Sequence, residues 1–127
     1  MKILFDTHSF IWWGSEPERL SLSAKQLLTD SEHEYFLSVI SVWEILIKQM
    51  SGKLNLRVPL PEILRLCDRA GLKILSIELP HVLALESLPN PHRDPFDRLL
   101  IAQAVAEDLT VLTADKVFSE YPIKTIW

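Results

Sequence analysis

Two carboxylates three residues apart, Asp94 and Asp97, open the stretch "DPFDRLLIAQA". Such a pair can start a helix or hold a cation. Asp94, Pro95 and Asp97 fill the N-cap, first and third positions that helix starts favour. Asp97, however, shares a helical face with Leu100, Ile101 and Ala104, the apolar stripe of its own helix, so it points inward. Three more acids invite the same question. Asp6 follows "KILF", Glu44 lies inside the apolar "SVWEILIKQM", and Asp115 follows "TVLTA". Each has a local structural reading. Asp6 can cap a helix starting at Thr7, and Asp115 can cap "KVFSEY". Ser41 with Glu44 matches the S-x-x-E capping box, which requires a helix that begins at Ser41. If that helix begins earlier, Glu44 is a buried carboxylate that needs a partner or a cation.

The elements that must position these acids are legible as alternating runs. "KILF" (2–5), "YFLSVI" (35–40), "LKILSI" (72–77), "TVLT" (110–113) and "IKTIW" (123–127) read as short buried strands. Between them lie helix patterns: 7–14, which Gly14 can end; 20–30, with Ser23 as N-cap; 41–52; 60–71; 79–88; 94–109; and a helical turn over 115–121. No repeat or low-complexity linker divides the chain, so residues 1–127 are expected to form one domain. Strands alternating with helices imply an α/β fold: a central, mostly parallel sheet of four to five strands with helices on both faces.

In such a sheet the ligand site lies beyond the carboxyl ends of the strands. Asp6, Glu44 and Asp115 each come just after a strand, and Asp97 begins the helix that leads into the fourth. The pattern therefore gathers four or five carboxylates on one sheet edge. Crowded like charges raise one another's pKa values, and a hard divalent cation removes the conflict. Mg²⁺ suits such oxygen donors better than zinc, because His8, His33, His81 and His92 are scattered and read as surface or loop residues.

Composition narrows the classes further. At 48% hydrophobic and 24% charged residues, the chain reads as an ordinary globular protein. A net charge of −4 argues against coating nucleic acid by bulk attraction, though not against an enzyme that handles one phosphodiester. No apolar run is long enough for a membrane span, and the apolar start, broken by Asp6 and His8, is not expected to be a signal peptide. The lone Cys67 forms no intramolecular disulfide framework and fits a reducing, cytoplasmic setting.

With "ILFDTHSFIWW", "SVISVWEILIKQMSGKL", "HRDPFDRLLIAQA" and "LTVLTADKVF" in this order, essentially the whole chain resembles a PIN-domain ribonuclease, and most of all the VapC-type toxins of toxin–antitoxin pairs. Position by position, Asp6 matches the acid after the first strand, Glu44 the helix acid, Asp97 the acid before "LLIAQA" and Asp115 the acid after the fourth strand. Asp94 belongs to a subgroup with two acids at this point. His8 departs from the commoner "DTN" or "DTS" opening. The resemblance implies a Mg²⁺- or Mn²⁺-dependent endoribonuclease in which these four acids are catalytic. Asp6 and Asp97 would be the primary metal ligands, with Glu44, Asp94 and Asp115 as further candidates. It also implies a homodimer, an RNA substrate and a cognate antitoxin.

Phosphate must approach this acidic edge past some cation. Lys48, one helical turn after Glu44, is the first candidate for RNA binding, with Arg98 and Lys116 next. Lys53 and Arg57 lie in the same basic stretch as Lys48. Trp12, Trp13, Trp43 and Phe10 can stack on bases or fill a core, and Phe10 and Trp13 are expected to pack together. Two rival classes remain. One is a protein-binding module of the same fold without activity. The other is a phospho-receiver or phosphatase domain, disfavoured because the third strand ends "LSIELP" without an Asp and "DTHSF" holds only one.

Overall fold

Alternation of short apolar strands with amphipathic helices carries through to the computed structural model, which describes residues 1–89 and 94–127. In chain order the elements are β1 (Lys2–Phe5), α1 (Thr7–Ser15), α2 (Leu22–Leu27), β2 (Glu34–Ser38), α3 (Val39–Met50), α4 (Leu60–Arg69), β3 (Lys73–Leu75), α5 (Leu79–Ala84), α6 (Pro95–Glu107), β4 (Thr110–Leu112) and β5 (Lys124–Ile126). Short 3-10 turns occupy Pro17–Arg19, Leu85–Ser87 and Lys116–Glu120. The strands form one sheet in the order β3-β2-β1-β4-β5, and every pairing is parallel. Ile3 at the centre faces Tyr35 on one side and Thr110 on the other.

Successive residues of a strand point to opposite faces, and β1 shows the consequence. Ile3 and Phe5 join Phe10, Ile11, Leu37, Ile63 and Cys67 in one core layer. Leu4 joins Ile40, Leu100, Ile101, Ala104 and Val111 in the other. Both faces are thus covered, as a parallel sheet requires. Phe10 and Trp13 both pack on Phe5, at ring distances of 6.1 and 5.1 Å. Burial in α4 raises the Cys67 thiol to about 11, which keeps it unreactive. Among the described residues no helix is long and apolar enough to cross a membrane.

Three local expectations are corrected. Gly14 does not end α1 but lies inside it, because the backbone there approaches α4 closely. A Cβ at Gly14 would stand 2.5 Å from Ile63 Cγ2. Ser21 rather than Ser23 caps α2, its hydroxyl accepting the Ala24 N–H at 2.9 Å. His81 is buried rather than at the surface. Its Nδ1 accepts the Glu78 N–H at 3.0 Å and its Nε2 meets Glu107 Oε1 at 2.9 Å, so the ring links the start of α5 to the end of α6. His8 is exposed, and His33 lies beside the N-terminal amine. His92 falls outside the described residues.

Replacing a helical glycine by alanine ordinarily stabilises a helix. At Gly14 the added methyl must displace Ile63, so Gly14→Ala is expected to destabilise the protein by about 1–3 kcal/mol, as overpacked cores do. Urea unfolding measures it.

Candidate active site

Strand order gives the location. From β1 the chain builds outward through β2 to β3, and from β4 to β5 it builds the other way, so the order reverses between β1 and β4. Open α/β sheets hold ligands outside the carboxyl ends of the strands at such a reversal. Asp6 and Thr113 are the first residues past those two strands.

Asp6 is held there by three bonds. Its N–H donates to the Leu112 carbonyl (3.1 Å), extending the β1–β4 pairing by one residue. Its Oδ1 caps α1 by accepting the Ser9 N–H (2.7 Å), and its Oδ2 accepts the Thr113 hydroxyl (2.6 Å). Only 3% of Asp6 is exposed. Burial raises its pKa above the usual carboxylate range, against the lowering effect of the Thr113 and Ser9 hydrogen bonds. The capping reading of Asp6 therefore holds: one oxygen serves the helix and the other bonds the Thr113 hydroxyl.

Glu44 is buried because α3 starts earlier than the capping-box pattern implies. Ser38 is the N-cap. Its hydroxyl accepts the Ile40 N–H (3.1 Å) and donates to Gln103 Oε1 of α6 (2.6 Å). Helix then runs from Val39, which puts Glu44 in the second turn with 1% exposure, so the Ser41–Glu44 capping box does not form. Partners on both sides meet the cost of burial. The Thr7 hydroxyl donates to Oε1 (2.6 Å), with the Ser41 hydroxyl 3.0 Å from Thr7 Oγ1, and the Lys48 ammonium lies 2.5 Å from Oε2. Lys48, placed by its spacing on the face of Glu44, thus serves as that acid's counter-ion.

At the mouth of α6, Asp94 is the N-cap. Its Oδ1 accepts the N–H groups of Phe96 (2.9 Å) and Asp97 (3.2 Å). Asp97, half-buried, takes the full electrostatic consequence of the arrangement. Its carboxyl is pushed up to about 7, first by burial and then by the charges of Asp94, Glu44, Asp6 and Asp115. The other four predicted acids are therefore all within electrostatic reach of Asp97. Asp115 is exposed at the rim and caps the last 3-10 turn through the Val117 N–H (3.0 Å).

The basic candidates separate. Lys116 is exposed beside Asp115. Arg98 turns its Nη2 to the Leu85 carbonyl (3.3 Å), while its buried Nη1 has no hydrogen-bond partner among the described residues. Arg57 pairs with Glu16 and Glu18. Spacing did not single out Thr7 and Thr113, whose hydroxyls donate to the Glu44 and Asp6 carboxylates. A weak signal existed, since Thr7 and Thr113 lie within two residues of Asp6 and Asp115.

Among the described residues no three acidic, histidine or cysteine side chains stand close enough to cage a metal as they are. The donor set is nevertheless of hard oxygens under mutual repulsion, which fits Mg²⁺ or Mn²⁺: Mg²⁺ is usually bound through one or two carboxylates and keeps several waters.

An all-parallel α/β sheet with an acidic crevice at its switch point defines the class, and the chain belongs to the PIN domain family, whose model matches residues 3–124. It is 26% identical over 117 residues to Ribonuclease VapC22 of Mycobacterium tuberculosis, covering 90% of this chain and 87% of that one. Among solved structures, VapBC-1 from nontypeable Haemophilus influenzae superposes with a TM-score of 0.71 at 15% identity, over 99% of this chain and 97% of that one. VapBC2 from Rickettsia felis, bound to a DNA fragment from its promoter, gives 0.70 at 15% identity over 99% and 98%.

A carboxyl whose pKa is raised on folding destabilises the native state once it ionises. Below about pH 4 Asp97 is neutral both folded and unfolded, and nothing is lost. Between there and about 7 the unfolded chain releases the proton more readily, so native stability falls as pH rises. In metal-free buffer Asp97→Asn is therefore expected to melt a few degrees above wild type at pH 8, with the gap closing toward pH 4. Thermal melts across that range check it.

Proposed function

We propose that this chain is a Mg²⁺- or Mn²⁺-dependent endoribonuclease, the toxin of a toxin–antitoxin pair, acting in the cytoplasm. The observation that carries the reading is Asp97: a half-buried carboxyl raised to about 7 by burial and four neighbouring acids, at the switch point of the sheet. The curated relative is named a ribonuclease, and the solved neighbours are VapBC complexes.

Asp6 and Asp97 would hold the cation, with Glu44, Asp94 and Asp115 contributing directly or through its water shell. When bound, a divalent cation lowers the pKa of a water and offsets charge on the scissile phosphate. The chain's own groups do the remaining work. Thr113 and Ser9 fix both oxygens of Asp6, so its carboxylate cannot swing away as charge arrives. Thr7 and Lys48 hold Glu44 in the same way, and Lys48 keeps this buried acid from adding its full charge to the repulsion on Asp97. Asp94 ties down the first turn of α6, and hence the backbone that carries Asp97.

Two apolar stripes are left on the outside. On α3, Val39, Trp43, Leu46, Ile47 and Met50 are exposed at helical spacing, and on α5 so are Leu79, Val82 and Leu83. Exposed apolar surface of this kind marks protein contacts. It supports a homodimer and an antitoxin as partners.

Induction of wild type in a bacterium is expected to create new RNA 5′ ends, and Asp97→Asn none, with both proteins folded. New ends from both would reject a carboxylate-dependent nuclease. Millimolar Mg²⁺ is expected to raise the melting temperature of wild type, since a ligand that binds only the native state stabilises it, and to leave Asp97→Asn unmoved.

A further inference from the structure

A second feature opens onto the same crevice. A cavity of about 310 Å³ is lined by Asp6, His8, Trp12, Arg19, Ala114 and Asp115. Its wall is a stack: the Arg19 guanidinium carbon lies 4.6 Å from the centre of the Trp12 ring, the exposed His8 ring is 6.0 Å away, and Trp127 braces the indole edge-on at 5.7 Å. Trp12 packs against the core but is only partly buried, and it also lines the cavity as an aromatic wall.

The cations explain why it matters. Lys48 is committed to Glu44, Arg57 to Glu16 and Glu18, and Arg98 to a backbone carbonyl. Arg19 makes one long contact, 3.7 Å to Glu16, whose other oxygen Arg57 already takes at 3.2 Å. Among the described residues lining the cavity, Arg19 is the one Lys or Arg beside Asp6 and Asp115. A base can stack on indole and on guanidinium planes alike, and a guanidinium can donate to phosphate oxygens.

We infer that this cavity is a subsite for one nucleotide of single-stranded RNA next to the scissile phosphate, its base on the Trp12–Arg19 stack and its phosphate against Arg19. The inference rests on the ribonuclease reading for the phrase "scissile phosphate", but the binding itself does not require cleavage. Duplex RNA keeps its bases stacked inside and cannot use such a wall, so the subsite selects unpaired RNA.

Binding is measured in the Asp97→Asn background, with a labelled mixed-sequence RNA decamer and with a duplex of the same length, by anisotropy and by tryptophan fluorescence. The decamer is expected to quench tryptophan emission, and the duplex to bind more weakly. Adding Trp12→Ala or Arg19→Ala is expected to weaken decamer binding about tenfold, the scale of one stacked base, while Trp12→Phe retains most of it. Trp12 supports Trp127, so Arg19→Ala at an exposed position is the variant that decides if Trp12→Ala folds poorly. Affinities within twofold of the parent, or no quenching, would overturn the subsite. Unchanged RNA affinity with loss of a co-purifying protein in Arg19→Ala would overturn it in favour of a peptide. The two readings fail separately. Stack-dependent binding with no cleavage by wild type in Mg²⁺ would sink the nuclease and leave the subsite. Cleavage that survives both substitutions would do the reverse.

Discussion

Everything at this crevice follows from one electrostatic conflict: four carboxylates lie within electrostatic reach of a fifth, Asp97, where a parallel sheet reverses its strand order. Like charges in a partly buried setting repel far more strongly than in water. Local hydrogen-bond partners offset part of the conflict. Asp6 has a backbone N–H and a hydroxyl, Glu44 a hydroxyl and an ammonium, Asp94 two backbone N–H groups, and Asp115 a backbone N–H and solvent. At Asp97, burial first and then the charges of Asp94, Glu44, Asp6 and Asp115 raise the carboxyl to about 7. A cation placed among these groups would reverse the sign of the problem, which is the physical ground on which we propose a metal centre here.

Much of this was legible in the sequence, for identifiable reasons. Helix-start chemistry at Asp94–Pro95–Asp97 depends on neighbouring residues, and it formed as read, with Asp94 as the cap. The α/β alternation survived because each strand carries its own apolar run. The failures are those where tertiary contacts decide. The sequence leaves the start of α3 open: the S-x-x-E pattern points to Ser41, with an unspecified earlier start as the alternative. Gln103, distant in sequence, takes the Ser38 hydroxyl and favours the earlier start. The same shift is what buries Glu44. His81 looked like a loop histidine, since nothing nearby announces Glu107 as its partner. Gly14 looked like a helix end, because a close approach between helices leaves no local trace.

The basic residues illustrate the same limit. Spacing put Lys48 on the face of Glu44, and there it lies, but so close that it is that acid's counter-ion. Arg19, which spacing did not distinguish, reaches the crevice because the turn after α1 folds back over Trp12. In a chain of net charge −4, an anionic substrate depends on the few cations that structure has not already used, and that dependence links the acidic site to its aromatic wall.

The most direct test of the central claim is to crystallise the wild type with Mn²⁺ and record anomalous scattering. The account predicts a peak within coordination distance of the Asp6 and Asp97 carboxylates. Ordered carboxylates with no peak between them, at millimolar Mn²⁺ and neutral pH, would contradict it.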